Sequence, residues 1–185
     1  MRMIQHRAFF ALLPEETIAD RARRLAIAEG LTPAARPHVS LVGFGEGPPS
    51  QRWIAKAAAA AGRVRRPPFL IELNTLSTFG KPTSKPHPVV LRGEDGVIGV
   101  SLLCEALLSE LASEGLGGRS PYAPHLTIAW SDRFVAERHV RPMRWTAREF
   151  VLIHSLQGAG RHELLGRWPL AGEIADASKS PVGGD

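Results

Sequence analysis

Pro37-His38-Val39-Ser40-Leu41 returns later in the chain as Pro124-His125-Leu126-Thr127-Ile128. Each copy follows a proline and alternates polar with apolar side chains, the pattern of a strand with one buried face. On such a strand His38 and Ser40 point one way and Val39 and Leu41 the other, and His125 and Thr127 likewise oppose Leu126 and Ile128. Each strand then presents an imidazole and a hydroxyl on one side and packs its apolar side against its own lobe. Chance supplies ~0.1 of a His-apolar-hydroxyl-apolar match in such a chain, and two matches about 1% of the time. A single copy would read best as a half-buried histidine bonded to a backbone carbonyl, but the duplication favours a shared function. Two pseudo-equivalent lobes, each giving one strand to a common cleft, follow from it.

Outward from these strands, the flanking sequence supplies alternating elements. His6 to Leu13 reads as a strand, and Pro14, Glu15 and Glu16 open a helix marked by Ile18, Ala22 and Leu25 and closed at Gly30. His38 to Phe44 is the second strand. Ser50 caps a helix through Trp53 and Ile54 to Ala61, with Gly62 ending it. Strands at Phe69 to Leu76 and Val89 to Arg92 flank a loop from Gly80 to Pro86. A third helix shows one face in Val97, Val100, Cys104, Leu107 and Leu111 before Gly115. After the linker Gly117-Gly118-Arg119-Ser120-Pro121, strands at Tyr122 to Trp130, Glu149 to Leu156 and Glu163 to Trp168 complete the pattern. The fold class is α+β with mostly antiparallel strands. Residues 1–172 are expected to form one bilobal domain, and residues 173–185 a polar, frayed tail.

The composition excludes several classes of protein. With 185 residues, 44% of them hydrophobic and 22% charged, the chain is long enough for one domain with a sizeable core. No apolar run approaches the roughly 20 residues of a membrane span, and the N-terminal apolar stretch is too short for a secretory signal, so a cytoplasmic location and no membrane partner are expected. Cys104, the single cysteine, rules out a disulfide within the chain and falls in an apolar helix as a buried structural thiol. Formal net charge is +5, and 19 of 23 basic residues are Arg, whose planar fork suits phosphate oxygens. The runs Arg63-Val64-Arg65-Arg66 and Arg138 to Arg144 could touch a nucleic-acid backbone, although such runs are more often only solvated.

Two neutral-range histidines facing one cleft suffice for phosphodiester cleavage without a metal. One takes a proton from the attacking water and the other gives one to the leaving oxygen. Ser40 and Thr127, two residues on, can hydrogen-bond non-bridging phosphate oxygens as charge builds there. No His-Glu-x-x-His, paired-cysteine or acidic-loop pattern suggests a metal, and no Gly-x-x-x-x-Gly-Lys loop suggests ATP-driven ligation, so no cofactor is expected.

With these tetrads the chain resembles the 2H phosphoesterase family, and within it the RNA 2′,3′-cyclic phosphodiesterases long labelled 2′-5′ RNA ligases. Their signature is two His-x-Thr/Ser-x tetrads, here His38-Val39-Ser40-Leu41 and His125-Leu126-Thr127-Ile128. Arg7-Ala8-Phe9-Phe10-Ala11-Leu12, Phe79-Gly80 with Pro88-Val89-Val90-Leu91, and Phe150 to Ser155 with Arg167-Trp168-Pro169-Leu170 are similar to the family as well. The resemblance thus covers residues 6–170. It implies a bilobal pseudo-symmetric fold, two mostly antiparallel sheets with outer helices, and a central cleft lined by both tetrads. It further implies hydrolysis of a terminal 2′,3′-cyclic phosphate to a 2′-phosphate, with His125 as base toward water and His38 as acid toward the departing 3′ oxygen. Two departures stand out: Ser40 replaces the commoner Thr, and Ala129-Trp130 stands where many members carry Arg.

Trp130 and His154 are further candidates for substrate contact, Trp130 by stacking on a base and His154 from a late strand. Phe9 and Phe44 read as core, and His6, His87, His139 and His162 as exposed. RNA ends or small cyclic nucleotides are the expected partners of a monomeric protein. A 2H enzyme acting on a small cyclic nucleotide or on a 2′-5′ linkage would share every catalytic residue. A non-catalytic RNA-binding module is the other alternative, but it has no need for two titrating histidines at matched positions.

Overall fold

Alternation along β1 (Gln5–Leu12) turns Phe10 and Leu12 into the main core and Phe9 and Ala11 to the opposite face. The same rule in β2 (Val39–Glu46) buries Val39 and Leu41, and in β5 (His125–Ser131) buries Leu126 and Ile128. The structure, a computed structural model, describes residues 5–80, 85–121, 123–157 and 160–172. The tail expected from 173 and the expected strand start at Tyr122 lie outside those residues.

With β3 (Phe69–Thr78), β4 (His87–Arg92), β6 (Arg138–Ala147), β7 (Glu149–Gln157) and β8 (Arg161–Pro169), the strands form one sheet in the order β6-β3-β4-β5-β2-β1-β7-β8. All seven pairings are antiparallel. The two expected sheets are its halves, four strands each. They meet where β2 pairs β5 through one residue pair, Val39 with Leu126.

Three helices cover one face. Glu16 opens α1 (Glu16–Ala28), and Gly30, at φ +69°, supplies the left-handed turn that ends it. The Ser50 hydroxyl accepts from the Trp53 N–H at 3.2 Å and caps α2 (Gln51–Arg63), which runs through Gly62 instead of stopping there. A turn of 3-10 helix leads into α3 (Ile98–Ser113), which buries Val100, Leu103, Cys104, Leu107 and Leu111. Asp95–Ser113 is long and apolar enough, by length and composition, to cross a membrane. That apolarity has a local use, since α3 packs against β2, β3 and α2. Within it the Cys104 thiol donates to the Leu41 carbonyl at 3.2 Å, and burial pushes its pKa up to about 12, so it stays a protonated packing group. The connectivity is crossed: α1 joins β1 to β2 yet lies over β5 and β6 of the other half.

One strand escaped the sequence reading. β6 carries Arg138, Arg141, Pro142 and Arg144 and looks like a basic loop. It is an edge strand, where proline and outward charge are tolerated, and Pro142 falls in the irregular stretch between the Leu73–Met143 and Thr75–His139 pairs. Met143, Trp145 and Ala147 alternate inward from it.

Candidate active site

The single seam pair fixes how the tetrads meet. Continuing the Val39–Leu126 register by one residue sets His38 opposite Thr127 and Ser40 opposite His125. Val39 and Leu126 point into the core, so all four polar side chains rise from the other face. Each imidazole thus stands across from the other tetrad's hydroxyl.

Both rings are held alike. His38 Nδ1–H donates to the Arg36 carbonyl at 2.9 Å, and His125 Nδ1–H donates to the Ala123 carbonyl at 2.8 Å. A carbonyl only accepts, so the bond fixes the proton on Nδ1 and leaves each Nε2 for chemistry. Among the described residues, neither the Ser40 nor the Thr127 hydroxyl is engaged by another protein group, which leaves both for a ligand.

His38, Ser40 and Thr127 line a cleft of about 810 Å³. His125 lines an adjoining recess of about 270 Å³ with Phe79 and Ala123, and Pro121 borders both spaces. Arg7, Arg36, Arg119 and Arg161 line the cleft, and no Asp or Glu does among the described residues. Arg36 reaches the Gly160 carbonyl, and Arg161 bonds Glu163 at 2.5 Å. Arg119 is seated by a reciprocal backbone pair with Gly43, at 2.9 and 2.8 Å. That approach requires glycine beside it, because a Cβ on Gly118 would lie 2.5 Å from Val42 Cγ1. A cleft ringed by guanidinium groups and free of carboxylates favours an anion. Among the described residues, no three His, Cys, Asp or Glu side chains gather as metal ligands.

The two basic runs take other partners. Arg63 pairs with Glu110 and Glu114, Arg138 with Glu29, and Arg144 with Glu72. These three arginines are thus engaged away from the cleft, whose guanidinium groups come from other loops and strands.

Trp130 lines the cleft and is 56% exposed. Simple alternation would put it on the apolar face with Leu126 and Ile128. A bulge intervenes: Val90 pairs Thr127 and Val89 pairs Ala129, so Ile128 is an extra residue and both Ile128 and Ala129 go to the core. Trp130 returns to the cleft side as a result.

His154 departs from expectation. It pairs with Ala8 while its neighbour Ser155 lines the cleft, and it is 8% exposed. Its Nδ1–H donates to Glu163 at 3.2 Å, and Nε2 lies 2.9 Å from His6 Nδ1. It does not line the cleft, and Glu163 links it to the cleft-lining Arg161. His87 is also not exposed: it is 1% accessible and tilted against Phe134. His139 is exposed as expected, whereas His6 is half-buried against His154.

The sequence reading missed one cleft residue of the same chemical type. His162 pairs with Ser155 in register and lines the cleft, its ring centroid 5.7 Å from that of His38. Phe9 stacks on the His38 imidazole, with ring centroids 5.0 Å apart. Burial lowers the pKa of His38, against the bond to Arg36 and together with the charge of His125. Burial, with His38 and Arg36, lowers that of His162 to about 4.

Residues 14–159 match the family model of the 2′-5′ RNA ligase superfamily. No curated protein matches the sequence. Among solved structures, E. coli LigT in its apo form is similar at 26% identity and a TM-score of 0.70, over 90% of this chain and 98% of that one. E. coli LigT complexed with 3′-AMP is similar at 26% identity and 0.69, over 90% and 99%. A Thermus thermophilus protein, TT0787, shares the fold at 20% identity and 0.69, over 91% and 100%.

Proposed function

The chain belongs to the 2′-5′ RNA ligase superfamily, the 2H phosphoesterases, and from that premise we propose that it hydrolyses 2′,3′-cyclic phosphates at RNA ends to 2′-phosphomonoesters, with His38 and His125 as the acid and base. One observation carries the reading. Two imidazoles, each clamped at Nδ1 with Nε2 free, stand across from two unengaged hydroxyls beside a carboxylate-free, arginine-ringed cleft.

In the proposed reaction water attacks phosphorus while a neutral imidazole takes its proton, the bond from phosphorus to O3′ breaks, and a protonated imidazole delivers a proton to O3′. Ser40 and Thr127 donate to the non-bridging oxygens as negative charge grows on them. By family resemblance His125 is the base and His38 the acid. Burial holds His38 toward its neutral form in the free cleft. As the acid it relies on the bound phosphate anion to draw the proton back onto the ring. Trp130 offers a flat, exposed face on which a base can stack.

The cleft volume also suits a single nucleotide, and E. coli LigT has been solved with 3′-AMP, which supports a small cyclic nucleotide as the second reading. The purified protein should be incubated, in chelator, with an oligonucleotide ending in a 2′,3′-cyclic phosphate and separately with cyclic mononucleotides. The expected product is the 2′-phosphate, formed fastest from the oligonucleotide. Faster turnover of the mononucleotide selects the second reading. A rate that vanishes in chelator and returns with a divalent ion overturns the acid-base mechanism.

A further inference from the structure

The third histidine of the cleft has no place in the reaction above, yet it is built against one of the two imidazoles that do. His162 stands at the start of β8, where its partner Ser155 is itself paired with Arg7 of β1. Ser155, Arg7 and His162 all line the cleft. From there the His162 ring meets His38 edge-on at 5.7 Å and Phe9 edge-on at 5.9 Å, while Phe9 lies flat against His38 at 5.0 Å with 25° between planes. Phe9 is itself immobilised, packed on Ala11, Val151 and Ile153. Three rings from three separate strands or their approaches therefore lock together, and His38 is the one held between two others.

We propose that His162 is a positioning residue for His38: with Phe9 it forms a two-sided wall that keeps the His38 imidazole dry and fixed, its Nδ1 on the Arg36 carbonyl and its Nε2 left for the phosphate. The proposal rests on the acid-base reading for its catalytic consequence, but not for the contact between the rings. The groups around the pair are Arg36 before β2, Arg7 on β1, His125 and Thr127 on β5, Ser155 on β7 and Arg161 on β8. Among them no carboxylate offers to hold either ring charged. His162 titrates at about 4, pushed down by burial first, then by His38 and Arg36. Across the neutral range it carries no charge, so there it acts on His38 as a wall. Among the described residues the half-site of His125 has no matching pair of rings: there Phe79 meets the imidazole, edge-on at 5.0 Å.

This distinguishes two variants. His162→Ala removes the wall and lets water reach His38. His162→Phe keeps a ring there and removes only the nitrogens. The test follows the imidazole Cε1–H signals of the free protein by NMR across pH, with His38 assigned from His38→Ala. In His162→Ala the His38 midpoint should move up toward the ordinary 6.5 as desolvation is relieved. In His162→Phe it should stay below it. On the cyclic-phosphate oligonucleotide, kcat of His162→Ala should fall about 10-fold or more as His38 loses its fixed position, with KM changed far less, and His162→Phe should recover most of that loss. A His38 midpoint unmoved by His162→Ala overturns the proposal, even if that variant is less stable, because relief of desolvation would have raised it. If His38→Ala turns over the substrate as fast as the parent protein, the functional reading fails instead, and the NMR midpoints still decide whether His162 walls His38.

Discussion

The two histidine half-sites have matching backbones and different surroundings. Each ring donates Nδ1–H to the carbonyl two residues earlier, and one residue pair sets each across from the other's hydroxyl. Yet His38 is enclosed by Phe9 and His162, whereas His125 meets Phe79 in a separate recess. Short-range sequence dictates the tautomer, because the accepting carbonyl is two residues away. Solvation is set by strands far away in sequence, which a four-residue motif does not encode. A duplicated motif can thus deliver two equally oriented imidazoles of which one, His38, is held toward its neutral form by burial.

The comparison breaks most sharply if one histidine proves dispensable. His38→Ala and His125→Ala are each expected to lower kcat by about 10²-fold or more, with the double variant close to the slower single one. Single-turnover rates check this. A substrate with an activated, low-pKa leaving group should rescue His38→Ala and leave His125→Ala slow, and rescue of the opposite variant would exchange the roles.

The hydroxyls test how far the symmetry extends. Ser40→Ala and Thr127→Ala each remove one hydrogen bond to a charged oxygen, worth about 1.5–3 kcal/mol, so each should slow the reaction roughly 10-fold or somewhat more. Similar losses fit the reciprocal register, while a large effect from only one of them would mean that the phosphate sits within a single half.

Smaller effects should appear in pH profiles. As the acid, His38 must be protonated, so kcat/KM falls as pH rises through its lowered free-protein pKa. A bound anion raises that pKa, so the corresponding limb of kcat lies at higher pH. Coincident limbs would show that the bound anion does not raise the pKa of His38. The smallest expected effect is on stability. The folded pKa of His162, about 4, lies below its ordinary 6.5, so the unfolded chain binds the proton first as pH falls. This contribution is complete above about 6.5 and is lost progressively toward about 4. Urea unfolding of His162→Phe should show a flatter pH dependence in that window.

The strands and the tetrads were legible because alternation and repetition are local. Val39, Leu41, Leu126 and Ile128 are all buried, and the four polar residues between them face away from the core. Trp130 was proposed for substrate contact without the physical reason that puts it in the cleft, since a bulge at Ile128 is invisible to a period of two. The sequence reads His162 as exposed, and leaves His154 open between substrate contact and structure, for one shared reason. Antiparallel register decides whether a histidine late in the chain meets the cleft or the opposite face, and register comes from pairing. The arginine runs read as solvated or facing a nucleic acid, and neither reading names the carboxylates, distant in sequence, that Arg63, Arg138 and Arg144 meet.

The seam between β2 and β5 has a mechanical consequence. One backbone pair is too little to hold two four-stranded halves in register; α3, packed on both β2 and β3, and α1, laid over β5 and β6 although it joins β1 to β2, tie them from behind. The cleft then works as the jaws of a clamp whose screw is on the back of the molecule. Trimming or thickening the side chains under α1, such as Ala22 and Ala26, is expected to alter the gap between the jaws by pressing on β5 from the face opposite the reacting side chains. Retuning for a bulkier or slimmer ligand can therefore proceed in helix residues far from the chemistry, while the four reacting side chains stay as they are.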